Sequence, residues 1–156
     1  VNRYPGAMTW LALMACLIAL ADGSNYIYVK DITMRLENEN ATFELNYTLE
    51  AFTRLYVLVL GCRSIEPDLL SLLGKDAAAK LVRAGPDSAA LEISGAGEKK
   101  YGYNNSQYYV FKPRRLSATA AYFKVIYPDG IFRTYNNLSE TPAVFCNAES
   151  IASKSA

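Results

Sequence analysis

The sequence predicts a mainly β fold: a β-sandwich or open barrel of antiparallel strands with one short helix, preceded by an N-terminal signal helix. Three observations carry this expectation. Apolar residues recur at every second position over several stretches from Lys30 onward. Turn-forming residues separate those stretches at short intervals. The chain also contains 12 tyrosines, which suit half-buried strands better than helices. With 156 residues, 51% of them hydrophobic and 20% charged, it can hold a targeting segment and one domain with a buried core.

Taken in order, residues 1–7 are short and carry one positive charge, Arg3. Residues 8–21 (MTWLALMACLIALA) form an uninterrupted apolar run ending in Ala19-Leu20-Ala21, ahead of Asp22-Gly23-Ser24. This is the pattern of a secretory leader cut between Ala21 and Asp22. A retained membrane anchor is the alternative, although 14 apolar residues fall short of a span, which takes about 20. Within the run, Leu13-Met14-Ala15-Cys16 resembles the lipobox of bacterial-type lipoproteins. Met14 and the apolar residues after Cys16 depart from that pattern, and Cys16 reads as a small apolar filler. The expected division is a leader over 1–21, one β-rich domain over 22–146 and a flexible tail over 147–156.

In the domain, Ile32, Met34 and Leu36 alternate with Thr33 and Arg35. Beyond Asn38-Glu39-Asn40, Phe43, Leu45, Tyr47 and Leu49 alternate with Glu44, Asn46 and Thr48. These are two half-buried strands joined by a hairpin. Residues 55–60 (LYVLVL) are apolar on both faces and predict a central strand covered on both sides. The cover is residues 67–73 (PDLLSLL), where Pro67, Asp68 and the following Gly74 mark a short helix. Residues 79–83 and 89–94 form a strand pair around Gly85-Pro86-Asp87, and residues 95–107 (GAGEKKYGYNNSQ) form the longest loop. Further strands follow at 108–111 and 121–127. Pro128-Asp129-Gly130 then makes a tight turn into 131–135, because Pro fixes φ and Gly supplies a positive one. Residues 142–145 are the last strand-like run.

Charge and composition narrow the function. The formal net charge is +1, and losing Arg3 with the leader leaves 15 charges of each sign. A neutral surface exerts no long-range pull on phosphate backbones, so nucleic acid is not an expected partner. The chain has no His, the commonest general base and metal ligand. No catalytic residue, metal site or cofactor is therefore assigned. Gly95-Ala96-Gly97 lacks the helix and the Lys-Ser/Thr pair of a phosphate loop. Lys112-Pro113-Arg114-Arg115 is balanced by acids elsewhere and reads as a solvated corner. Two carboxylates suffice for a glycosidase, but sequence spacing selects no pair.

Cys62 and Cys146 remain once the leader is gone, each after a strand-like run. In an exported chain they are expected to form a disulfide, worth up to about 4 kcal/mol. Two unpaired thiols are the alternative. Four N-x-Ser/Thr acceptor sites begin at Asn40, Asn46, Asn104 and Asn137. They fall in turns, in a loop, after a hairpin strand, or, for Asn46, on the polar face opposite Leu45 and Tyr47. Glycosylation would account for them, as would the preference of turns for Asn and of exposed strands for Thr.

Residues 30–146 carry KDITMRLENENATFELNYTLE, RLYVLVLG with IEP after it, VIYPDG and TPAVFC. In these segments the chain resembles a type of small exported protein of methanogenic archaea. The resemblance implies an archaeal envelope or extracellular setting, where N-glycosylation occurs, and it transfers no catalytic residue. The expected function is a secreted or envelope-associated, non-catalytic β-sandwich module with a structural or binding role. Its partner would be another envelope protein or a glycan, with membrane contact only through the N-terminal segment. The alternatives are a membrane-tethered domain held by an uncleaved leader and a carboxylate-based carbohydrate-active enzyme.

Overall fold

The computed structural model of the chain describes residues 26–74 and 78–147. The leader, with Cys16 and the Ala21–Asp22 junction, and the tail beyond Asn147 lie outside the described residues. The first half comprises β1 (Ile27–Glu37), β2 (Asn40–Leu49), α1 (Ala51–Leu60), a 3-10 turn (Cys62–Ile65) and α2 (Glu66–Leu72). Then come β3 (Ala79–Ala84), β4 (Ser88–Ile93), β5 (Gly97–Tyr101), a second 3-10 turn (Tyr103–Asn105) and β6 (Gln107–Phe111). The chain continues through β7 (Arg115–Ile126), β8 (Phe132–Glu140) and β9 (Val144–Asn147). The strands form a six-stranded sheet, ordered β3-β4-β2-β1-β7-β8, and a three-stranded sheet, ordered β5-β6-β9. The fold is mainly β, as the sequence predicts.

The period-two segments explain the large sheet. Leu45 pairs with Ile32 and Phe43 with Met34 across the β1–β2 hairpin, and all four are buried. Glu44, Asn46 and Thr48 face out. Asn38 closes the hairpin turn at φ +55°, a left-handed conformation that Asn tolerates. Tyr47 lies in the core, and its hydroxyl donates to the Gly85 carbonyl at 2.6 Å, tying β2 to the β3–β4 turn. Burial pushes the Tyr47 phenol pKa up to about 12, with Cys62 and Asp87 nearby acting in the same direction.

Both sheets enclose one core, in which Phe111, Val144 and Cys146 of the small sheet join Phe43, Leu45 and Phe123 of the large one. Gly97 fastens the small sheet in place. Its N–H donates to the Glu39 carbonyl in the β1–β2 turn at 2.8 Å. A Cβ at Gly97 would come within 2.8 Å of the Phe111 ring, so only glycine lets the ring lie there undisturbed.

The structure corrects four expectations. Residues 55–60 belong to α1, not to a central strand, and among them only Val57 is buried. In the folded sheet both edges of β2 are taken, by β1 and by β4. The next segment has no adjacent place in the sheet, and a helix satisfies its backbone groups locally. Gly61, at φ +88°, ends the helix by donating its N–H to the Val57 carbonyl at 2.8 Å. Among the described residues there are accordingly two short helices, and α2 alone matches the one expected, burying Leu69 and Leu72. The segment 95–107 is not one long loop, because β5 pairs with β6 within it. β5 is a charged edge strand, and Gly97 is its only buried residue, so it shows no alternation of apolar residues. Finally, the pairing is not wholly antiparallel, since β1 runs parallel to β7.

Candidate functional site

A cleft lies where the β7–β8 turn of the large sheet faces β6 and β9 of the small one. The turn is locally determined. Tyr127 N–H donates to the Ile131 carbonyl at 2.8 Å and Gly130 N–H to the Tyr127 carbonyl at 2.9 Å. The Asp129 carboxylate accepts from Ile131 N–H at 2.9 Å. Gly130, at φ +88°, completes a turn that a side chain would strain. On the opposite wall, Tyr109 pairs with Cys146 and Tyr108 with Asn147. Between these walls lies a cleft of about 470 Å³, within the range of small-ligand sites.

Its surface combines ring faces with a few charges. Tyr108, Tyr127 and Phe145 supply aromatic surface, Asp129 and Arg133 supply charge of both signs, and Cys146 lies at the buried side. The Arg133 guanidinium sits 5.9 Å from the Tyr127 ring centroid, a cation–π arrangement that orients both side chains. Burial raises the Tyr127 pKa; Arg133 opposes the shift, while Tyr135, Cys146 and Asp129 add to it. Burial also raises that of the Cys146 thiol, helped by Asp129 and opposed by a backbone hydrogen bond from Tyr109. Both groups are therefore neutral at physiological pH, and Cys146 is a poor nucleophile there. A second cleft, of about 360 Å³, lies across the Tyr127-Pro128 ridge against Arg35, Glu37 and Asn38.

Of the cysteines and acceptor asparagines singled out from sequence, Cys146 lines this cleft and the others lie away from it. Cys62 and Cys146 carry free thiols, so the expected disulfide is not formed in the structure. Their surroundings differ: Cys62 opens the turn after α1 near Tyr47, whereas Cys146 lies in β9 near Tyr109 and Asp129. Asn46 is exposed on the outer face of β2, as its alternation predicts, and its Nδ2 donates to Asp31 at 2.7 Å. Asn40 begins β2, where its Oδ1 accepts from Gly95 N–H at 3.1 Å. Asn104 lies in the second 3-10 turn. Asn137 is exposed on edge strand β8 at φ +54°, close to an irregularity in its pairing with β7.

Sequence reasoning found the Pro128-Asp129-Gly130 turn but missed Tyr108, Tyr127, Arg133 and Phe145 as neighbours. The local signal was Tyr127 and Arg133 flanking a tight turn, which brings the two side chains together. The other wall depends on β6–β9 pairing across more than thirty residues of sequence, which no local pattern encodes. Among the described residues, no group of three or more Cys, Asp and Glu side chains is placed to hold a metal ion. No helix of the described residues is long and apolar enough to cross a membrane. No family model, curated protein or solved structure matches the chain.

Proposed function

We propose that the chain is an exported, envelope-associated and non-catalytic binding module, and that the cleft beside the β7–β8 turn takes a glycan of that envelope. The observation that carries this reading is the cleft lining: the rings of Tyr108, Tyr127 and Phe145 together with the charged side chains of Asp129 and Arg133. Aromatic faces suit the C–H faces of sugar rings, and a carboxylate with a guanidinium suits their hydroxyl groups. Among the described residues, Asp129 is the single carboxylate lining this cleft, whereas glycoside hydrolysis in most families needs two, facing each other across the bond to be cleaved. That favours binding over the carbohydrate-active alternative. The leader pattern in residues 1–21 supports export, and Asn46 and Asn137, both exposed, would be open to a glycosylating enzyme.

Calorimetric titration with oligosaccharides released from the host envelope tests the proposal. Tyr127→Ala and Arg133→Ala should each weaken binding about tenfold or more, the loss typical of a central contact. Neither should alter the fold, because Arg133 is exposed and Tyr127 sits at the rim of the core. Unchanged affinity in both variants would place any binding elsewhere and overturn the assignment.

A further inference from the structure

A surface helix ordinarily turns its polar side to solvent, and α1 does the reverse. Val57 is its buried side chain, while Phe52, Val59 and Leu58 are 81%, 74% and 71% exposed. Leu55 and Tyr56 are also more than half exposed. At about 100° per residue these five fill one continuous outward arc of roughly 160°, opposite Val57. An apolar surface this concentrated marks a contact with something other than water. Two further features identify the contact. Glu50, at the start of α1, donates its N–H to the Tyr26 carbonyl at 3.0 Å. The apolar run 8–21 therefore joins the domain at the N-terminal end of α1 through residues 22–25 alone, a reach of about 17 Å at most. The exposed Arg54 and Arg63 also belong to this region and are in none of the ion pairs formed by the described residues. Apolar side chains with guanidinium groups beside them suit acyl chains lying under phosphate headgroups.

We propose that α1 lies flat in the interface of a lipid bilayer, with Phe52, Leu55, Leu58 and Val59 in the acyl boundary and Arg54 and Arg63 at the headgroups. The domain then meets the membrane through its own folded surface as well as through the N-terminal segment, and the contact survives removal of the leader. This extends the envelope reading to a second face. Because the cleft is titrated without lipid, either proposal can fail while the other stands.

The full chain carrying Trp10→Phe and Val59→Trp has a single tryptophan, in α1. Its emission is read in buffer and on phosphatidylcholine–phosphatidylglycerol vesicles with plain or brominated acyl chains. The expected result is solvent-like emission in buffer, a blue shift on vesicles, and loss of about half the signal or more with brominated lipid. Adding Leu55→Ser and Leu58→Ser, at exposed positions, should abolish the quenching while leaving the circular dichroism unchanged. Three results would overturn the proposal. Quenching that persists in the serine variant would mean that the leader alone holds the domain at the surface. A blue shift already present in buffer, with no response to brominated lipid, would make the occupant residues 8–21 or a second copy of the chain. Solvent-like emission under every condition would leave the face uncovered.

Discussion

Leu45→Ala is expected to destabilise the domain by about 2–5 kcal/mol, the usual cost of truncating a buried leucine. Leu45 is fully buried at the centre of β2, pairing with Ile32 on one side and Ala89 on the other. Three strands enclose the site, so the core cannot easily collapse into the space left behind, which places the cost toward the upper part of the range. Its neighbour in sequence should behave oppositely. Asn46→Gln removes an exposed hydrogen bond to Asp31 and should cost no more than about 0.5 kcal/mol. Urea unfolding followed by circular dichroism measures both. Equal losses in the two variants would mean that both faces of β2 are buried, contrary to the register described.

Phe111→Ala should cost about as much or more, about 3–5 kcal/mol. The ring is buried beneath Gly97 and belongs to the core shared by the two sheets. Losing it should also loosen the attachment of β5 and β6 to the β1–β2 turn. If the sheets fold as one unit, calorimetry should show a single transition at lower temperature. Two separated transitions, with the high-temperature one unshifted, would show instead that the small sheet is an independent appendage.

The parts of the fold that sequence disclosed are those determined by neighbouring residues. The β1–β2 hairpin was legible because Phe43, Leu45 and Tyr47 alternate strictly with polar residues around a turn. The β7–β8 turn was legible because Pro128 and Gly130 have fixed backbone demands. Residues 55–60 were not, because six consecutive apolar residues have no visible period and suit a helix as well as a buried strand. The informative signals lay outside that run, in Phe52, which stands at helical spacing from Leu55, Tyr56 and Val59, and in Gly61 after it. β5 was hidden for the opposite reason: a charged edge strand such as Glu98-Lys99-Lys100 resembles a loop. The cleft was half visible. Tyr127, Asp129 and Arg133 are close in sequence, but Tyr108 and Phe145 reach them only through the β6–β9 pairing.

Cell location is the most direct test of the central claim, that this is an exported module working at the envelope. Protein made in its own host is probed by adding protease to intact cells, fractionating them, and sequencing the N-terminus of the recovered chain. The expected result is protein in the envelope or the medium, open to protease on intact cells, and beginning at Asp22. Protein protected until the cells are lysed, recovered in the soluble interior with residues 1–21 still attached, would contradict it.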